Sequence, residues 1–393
     1  MSTTPTTAAF SETEERQELR KAVRDLGRKY GRDYFIKAHA EGRKTTELWT
    51  EAGKLGYLGV AVPEEYGGGG GDIGDLAAVC EELAAAGSPL LLMVVSPAIV
   101  GTIIAQYGTD EQKQRWLPGL ADGTATYAFS ITEPDAGSNS HRITTTAHRE
   151  SDGGWRLTGG KTYISGVDEA SHVLVVARTE DAKTGNLKPA LFLVPTDAQG
   201  LEYTEIPMGI VSPEKQFTLF FDDLRVPDDA LIGSEDAGIE QLFAGLNPER
   251  IMGASFALGT ARLALEMATE YAKERQVFKA PIGAHQAIAH PLAQTYIEIE
   301  SARLLTQRAA ALYAAADHMA AGEAANMAKY AAGEAVCNAV DRAIQTHGGN
   351  GLAEEYGLVQ MLAGSRLSRI APVSREMVLN FIAQFSLGLP KSY

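Results

Sequence analysis

Near Thr124 the hydrophobic period of the chain changes, and near Gly233 it changes back. A chain with two such switches cannot be one sheet or one bundle. Before Thr124, "TTELWTEAGKLGYLG", "DIGDLAAVCEELAAAG", "SPAIVGTIIAQYG" and "TDEQKQRWLPGLADG" carry apolar residues at helical spacing. The stretch "FSETEERQELRKAVRDLGRKYG" precedes them, its Ser11 and Glu14 forming an S-x-x-E capping box. From Thr124 to Pro227 the chain breaks into short runs such as "TYAFSIT", "HVLVVART" and "FTLFFDDLRVP". These are rich in β-branched and aromatic residues and separated by Gly, Asp, Pro and Asn, as antiparallel strands require. Beyond Gly233, Ile251, Ala254, Leu258, Ala261, Leu265 and Ala268 recur at steps of three and four along one long helix. Pro291 sits near the start of the next helix or kinks it, and the alanine-rich helices that follow predict a four-helix bundle. The expected architecture is α+β multidomain: an N-terminal helical domain (1–123), a middle antiparallel β-domain (124–232) and a C-terminal four-helix bundle (233–393).

The 393 residues suffice for such a core, and 45% hydrophobic with 22% charged content is that of a soluble globular protein. A formal charge of −15 argues against nucleic acid or an anionic membrane as the main partner. Two cysteines, Cys80 and Cys337, form no CxxC pair, so neither a disulfide framework nor structural zinc is expected and a reducing compartment is the default. The start "MSTTPTTAAF" has no signal-peptide pattern and no run approaches the ~20 apolar residues of a membrane span, which predicts a cytoplasmic protein. His285 and His290 are off the i,i+4 face, so no metal site is expected.

No G-x-S-x-G elbow is present. The run "PEEYGGGGGD" is followed by no Lys-Ser/Thr and reads as a mobile turn rather than a phosphate loop. In "ITEPDAGSNS", Thr132, Ser138 and the backbone amides suit a planar hydrogen-bonding ligand and a phosphate. "HGGNG" reads either as a helix C-cap or as glycines that let backbone approach a pyrophosphate. In "RIAPVSREM", Pro372 biases Ala371 away from helix, and Ser374 is placed to cap the helix that follows.

Together "PEEYGG", "ITEPDAGSN", "GGKTYISG", "LRVPDDALIG", "NPERI", "ERQVFKAPIGAHQ" and "QTHGGNGL" resemble the acyl-CoA dehydrogenase family from about Phe10 to the C-terminus. The resemblance implies one FAD per subunit and an acyl-CoA thioester as substrate. It also implies a homotetramer or dimer with flavin contacts shared between subunits, and an electron-transferring flavoprotein as acceptor. In such enzymes a carboxylate takes the α-proton while hydride leaves the β-carbon for flavin N5, giving a trans-2-enoyl-CoA. Residue by residue, Ile131 and Thr132 match flavin contacts, and Ser138 matches a phosphate contact and a substrate contact. Tyr163 stands where a tryptophan is usual on the flavin, and Ser165 where a threonine is usual near N5. Arg275, Phe278 and Gln286 match contacts to a neighbouring subunit's FAD. Lys279 replaces a usual glycine in that turn. Gln345, Gly348 and Gly349 match the far side of the dinucleotide, and Ser374 and Glu376 its adenine end.

The family holds its base in one of two places. The commoner lies in the C-terminal segment, where Pro372 here replaces the carboxylate. The second, of the isovaleryl-CoA and long-chain type, precedes an arginine on the long helix. Glu249 stands there, before Arg250, which the resemblance places against substrate. Glu249 is therefore the expected base, against the bland reading of a solvated first-turn glutamate after Pro248. The same scaffold also admits a lyase, a desaturase of carrier-protein-bound acyl groups, and a non-catalytic flavin-binding subunit.

Overall fold

The computed structural model describes residues 12–180, 187–235 and 238–391. Helix α1 (Glu14–Ala40) starts at Thr13, whose side chain accepts from the Arg16 N–H. Ser11, the expected cap, lies outside the described residues. At Gly31 the backbone leaves helical geometry (φ 69°, ψ −178°), and the Ser88 hydroxyl donates to the Gly31 carbonyl freed by the kink. Helices α2 (Thr46–Lys54) and α3 (Ile73–Ala85) follow, the latter opened by an Asp72/Asp75 capping box. Helix α4 (Leu91–Met93) runs into a π-helical stretch, Val94–Gly101, that contains Pro97, and then into α5 (Thr102–Tyr107). Helix α6 (Asp110–Ala121) closes the block.

The glycine run is a turn, but it is not loose. Amides of Gly68, Gly69, Gly70 and Gly71 donate to the carbonyls of Pro63, Gly59, Val62 and Val60. A Cβ on Gly68 would stand 2.1 Å from the Val62 carbonyl oxygen. The glycines are needed for close backbone approach, which corrects the expectation of a mobile turn.

Strands β1 (Tyr127–Ser130), β2 (Thr146–Arg149), β3 (Trp155–Ser165), β4 (His172–Glu180), β5 (Leu187–Pro195), β6 (Leu201–Ile206), β7 (Gln216–Val226) and β8 (Leu231–Ile232) make one sheet, ordered β6-β7-β3-β2-β4-β5-β8. Its ladders are antiparallel, as the alternation predicts, except where β1 and one bridge of β2 run parallel to β4. The apolar run in β4 is continuous because both faces are buried. Leu174 and Val176 pack toward Ile99, Ile103 and Trp116 of the helical block, while Val173, Val175 and Ala177 pack among Trp155, Phe192 and Leu219.

Helix α7 (Gly238–Glu274) then runs to a hairpin of β9 (Gln276–Val277) and β10 (Ala280–Pro281). Helices α8 (Gln286–Ala314) and α9 (His318–His347) pack on α7 and on each other. The fourth element of the bundle is not continuous. It is α10 (Met361–Leu367) and α11 (Arg375–Phe381), separated by the break at Pro372, and the Ser374 side chain caps α11 by accepting from Met377 N–H. The predicted stripe on α7 is the core face: Ile251, Ala254, Leu258, Ala261 and Ala268 are fully buried, and Leu265 packs at its edge. The two helical blocks share that core, which runs from Val23, Leu76 and Leu83 through α7 to Val336 and Val340. Among the described residues no helix is long and apolar enough to cross a membrane.

An ion-pair network crosses this shared core. Glu81 and Glu82 on α3 are only 2% and 1% exposed. Arg262 of α7 reaches Glu81 at 2.7 Å and Glu82 at 2.9 Å, and Arg20 of α1 reaches both at 3.0 Å. Burial alone raises the Glu82 carboxyl. Hydrogen bonds from Arg262 and Arg24, with the charges of Arg262 and Arg20, outweigh it and hold the group at about 2. Glu82 thus stabilises the fold above its unfolded value of 4.5, and that contribution is lost as pH falls from there toward about 2. Arg262→Met removes one arginine from two buried carboxylates that keep Arg20 and Arg24, and is expected to lower the unfolding free energy by about 1.5–3 kcal/mol at neutral pH, the cost of losing hydrogen bonds to charged groups. Denaturant melts of variant and wild type at several pH values check this; the gap should narrow as pH falls below about 4.5.

Candidate active site

Two motifs that lie apart in sequence meet at the end of β1. Glu133 in "ITEPDAGSN" is 4% exposed, and Lys161 in "GGKTYISG" is fully buried. They pair at 2.9 Å, and the Lys161 ammonium also donates to the Ile131 carbonyl at 3.1 Å. Glu133 further accepts from the Thr144 and Thr145 amides and the Thr144 hydroxyl. Burial pushes the Glu133 carboxyl up, but these bonds and the Lys161 charge bring it down to about 2, so it is ionised. The Thr162 N–H donates to the Thr132 carbonyl at 2.9 Å, which completes the joint. Ile131 and Thr132 are half-buried on it, and Ser138 is exposed.

The β3–β7 ladder slips between Lys161 and Ile164, and Tyr163 occupies the slip with φ 57°. A left-handed tyrosine inside a strand is sterically costly. Here it turns the ring out of the β-core, leaving Tyr163 59% exposed beside the buried Ile164. Ser165 follows, half-buried, its hydroxyl donating to Gln216 at 3.0 Å.

The carboxylate lies on the other side, on α7. Since α7 begins at Gly238, Glu249 is well inside it, with Pro248 in its interior, and is not a first-turn glutamate. Its side chain is half-buried and, among the described residues, has no hydrogen-bond partner. Burial pushes it up to about 7, against the charges of Arg250 and Lys329. Arg250 donates to the Leu246 carbonyl at 3.3 Å and to Asn247 Oδ1 at 3.1 Å, and its guanidinium lies 5.7 Å from the Phe243 ring centroid. Among the described residues its buried Nε has no partner. The break crosses this face of the helix. A Cβ on Gly253, i to i+4 from Glu249, would lie 3.4 Å from Pro372 Cδ. Behind the break, the buried Lys329 of α9 donates to the Val373 carbonyl.

A third group faces outward. Phe278 and Lys279 form the two-residue turn of the β9–β10 hairpin with φ 53° and 69°, so the left-handed turn forms although lysine replaces glycine. Phe278 is 89% exposed, and among the described residues the Arg275 guanidinium has no partner. Gln286 and Gln345 are also exposed. Gly348 caps α9 with φ 59°, and the exposed Gly349 has open space about its Cα. Behind them His347 stacks on Tyr271 at 4.1 Å, and Asn350 donates to the Tyr271 and Tyr356 hydroxyls. Glu376 pairs with Arg375 at 2.8 Å.

One chain thus brings Ile131 and Thr132 together with Tyr163 and Ser165, and Glu249 and Arg250 together with Pro372. It joins Arg275 and Phe278 to neither group through any hydrogen bond or ion pair among the described residues. Glu133, Lys161 and Lys329 escaped the sequence reading. The one available signal was a charged residue inside each otherwise small or apolar motif.

Three family models match the chain: "Acyl-CoA dehydrogenase, N-terminal domain" over residues 13–124, "middle domain" over 128–224, and "C-terminal domain" over 236–387. Acyl-CoA dehydrogenase FadE12 of Mycobacterium tuberculosis is 63% identical over 388 residues, covering 99% of this chain and 100% of that protein. Glutaryl-coenzyme A dehydrogenase in its glutaryl-CoA complex is similar with TM-score 0.89 and 29% identity, over 98% of each chain. PigA with FAD and proline is similar with TM-score 0.89 and 26% identity, over 97% and 99% of the two chains. A structure described as the electron transferring flavoprotein of Acidaminococcus fermentans gives TM-score 0.89 and 28% identity, over 96% and 99%.

The Lys161–Glu133 pair predicts a measurable asymmetry. Lys161→Met leaves a buried carboxylate and should destabilise by about 3–5 kcal/mol, whereas the double variant Glu133→Gln/Lys161→Met should regain most of that loss in denaturant melts.

Proposed function

The chain belongs to the acyl-CoA dehydrogenase family, and from that premise we propose that it oxidises an acyl-CoA thioester to the trans-2-enoyl-CoA with Glu249 as the base. The observation that carries this is the position of Glu249. It stands one helical turn from the glycine that meets Pro372, so α7 carries a carboxylate beside its contact with the break, where Pro372 stands in place of the usual one.

The donor set fits FAD, the cofactor of this family. Thr132 and Ser138 offer hydroxyls, and Tyr163 offers an aromatic face turned out of the core at the cost of a left-handed backbone. When bound, FAD supplies the acceptor for the hydride lost from the β-carbon. Ile131, Thr132, Tyr163 and Ser165 would hold its ring system, and Ser138 its phosphate. The exposed Arg275, Phe278, Gln286, Gln345, Gly348 and Gly349, with Ser374 and Glu376, would complete the dinucleotide site across a subunit boundary. An 89% exposed Phe278, with an Arg275 guanidinium that has no partner among the described residues, supports this assembly, a homotetramer or dimer. The likeness to the Acidaminococcus structure supports an electron-transferring flavoprotein as the acceptor.

The protein's own task is to remove the α-proton and hold the thioester. A carboxyl at about 7 is matched to that work at neutral pH, because it is ionised in a substantial fraction of molecules and still basic enough to take a weakly acidic proton. Arg250, whose buried Nε has no partner among the described residues, would bind substrate. Glu249→Gln should cut anaerobic flavin reduction by acyl-CoA by about 10²–10⁴-fold while flavin content stays normal. Near wild-type bleaching would overturn the assignment. In the wild type the base must be ionised, so the reduction rate should rise with pH through about 7 and then level off.

A further inference from the structure

We propose that Lys329 is the positioning residue for Glu249: its ammonium holds the break between α10 and α11 against α7 and sets a buried positive charge behind the break that covers the Glu249 face of that helix. This rests on Glu249 being the base.

Lys329 is out of place for its helix. The neighbouring Ala325, Ala328 and Ala332 on α9 are fully buried, and Lys329 among them is 3% exposed. An ammonium in such a seam is strongly unfavourable unless bonded. Its one hydrogen bond among the described residues goes to the Val373 carbonyl, in the part of the chain with no helical partner for that group. Val373 follows Pro372, and Pro372 lies against Gly253 of α7. One side chain thus ties α9 to the break, and the break covers the α7 face that carries Glu249.

The charges around it are unequal in their attachments. Glu334 on α9 is held by Arg369 at 2.6 Å and by Arg375 at 3.3 Å. Glu376 on α11 is held by Arg375 at 2.8 Å. Arg250 on α7 is occupied by Leu246 and Asn247. Glu249 is the acid in this group without a hydrogen bond among the described residues, and the charges of Arg250 and Lys329 both act to lower its carboxyl. Burial, then the Arg250 charge, bring the Lys329 ammonium down to about 8, with Glu376, Glu249 and Glu334 opposing, so it is still charged at neutral pH. It therefore favours the ionised form of Glu249. A lysine that only tied the break in place would, once removed, let solvent reach Glu249 and lower its midpoint rather than raise it.

The test uses substrate-free holoenzyme and anaerobic flavin reduction by acyl-CoA across the neutral pH range. Difference infrared spectroscopy against E249Q isolates the Glu249 carboxyl band and gives its midpoint without turnover. In K329M that midpoint, and the midpoint of the flavin-reduction profile, should rise by about one pH unit, an about tenfold slower reduction below the midpoint. K329R should restore both. K329Q, which keeps a donor for Val373 but no charge, should behave as K329M and serves if K329M loses its flavin. An unmoved or lowered midpoint in the neutral variants overturns the proposal, whatever happens to the plateau. E249Q separates the two claims: wild-type flavin reduction in E249Q overturns the assignment of the base itself, and the Lys329 inference falls with it.

Discussion

The burial of α7 is the constraint on which the rest of this structure depends. Its apolar stripe lies against α3, α8 and α9 at once, and among the described residues no other element touches the first helical block and the bundle so extensively. Close approach to α3 needs Gly259, where a Cβ would stand 2.3 Å from the Glu81 carbonyl oxygen. That approach in turn buries Glu81 and Glu82, whose charges must then be met by arginines from α1 and α7. The same helix, further toward its start, carries Glu249 under the break. Packing, ionic pairing and the placement of the candidate base are thus consequences of one buried helix.

Three carboxylates differ in how completely they are paired, and the difference sorts structure from chemistry. Glu82 and Glu133 each accept several charge-assisted bonds and are held near 2. Glu249 accepts none among the described residues and is raised to about 7. Desolvation acts on all three; what separates them is the hydrogen bonding of the charged form. A fully satisfied carboxylate is fixed and inert, whereas an unsatisfied one is available to a proton.

The legible parts of the fold were those governed by local period. The stripe on α7, the strand runs, the Ser374 cap and the break at Pro372 all follow from spacing within a few residues. The start of α7 did not, because Pro248 reads as a helix beginning and is tolerated here inside a buried helix. Nor did the glycine run, whose amides find carbonyls in the preceding turn rather than solvent. The motif resemblance located Tyr163, yet its left-handed backbone and exposed ring appear only once the β3–β7 slip is seen.

By itself, then, the sequence determined the helix–sheet–helix order, the family, and the absence of a carboxylate at Pro372 with one present at Glu249. These depend on residue identity and short spacing. The tertiary structure alone decided which charges meet. Lys161 and Glu133 are 28 residues apart, Lys329 and Val373 are 44 apart, and Arg262 and Glu82 are 180 apart. No local preference encodes such pairs. They arise because closing the core forces each buried charge to find a partner in whatever element is packed against it. Whether a given glutamate becomes a strut or a base is settled at that step.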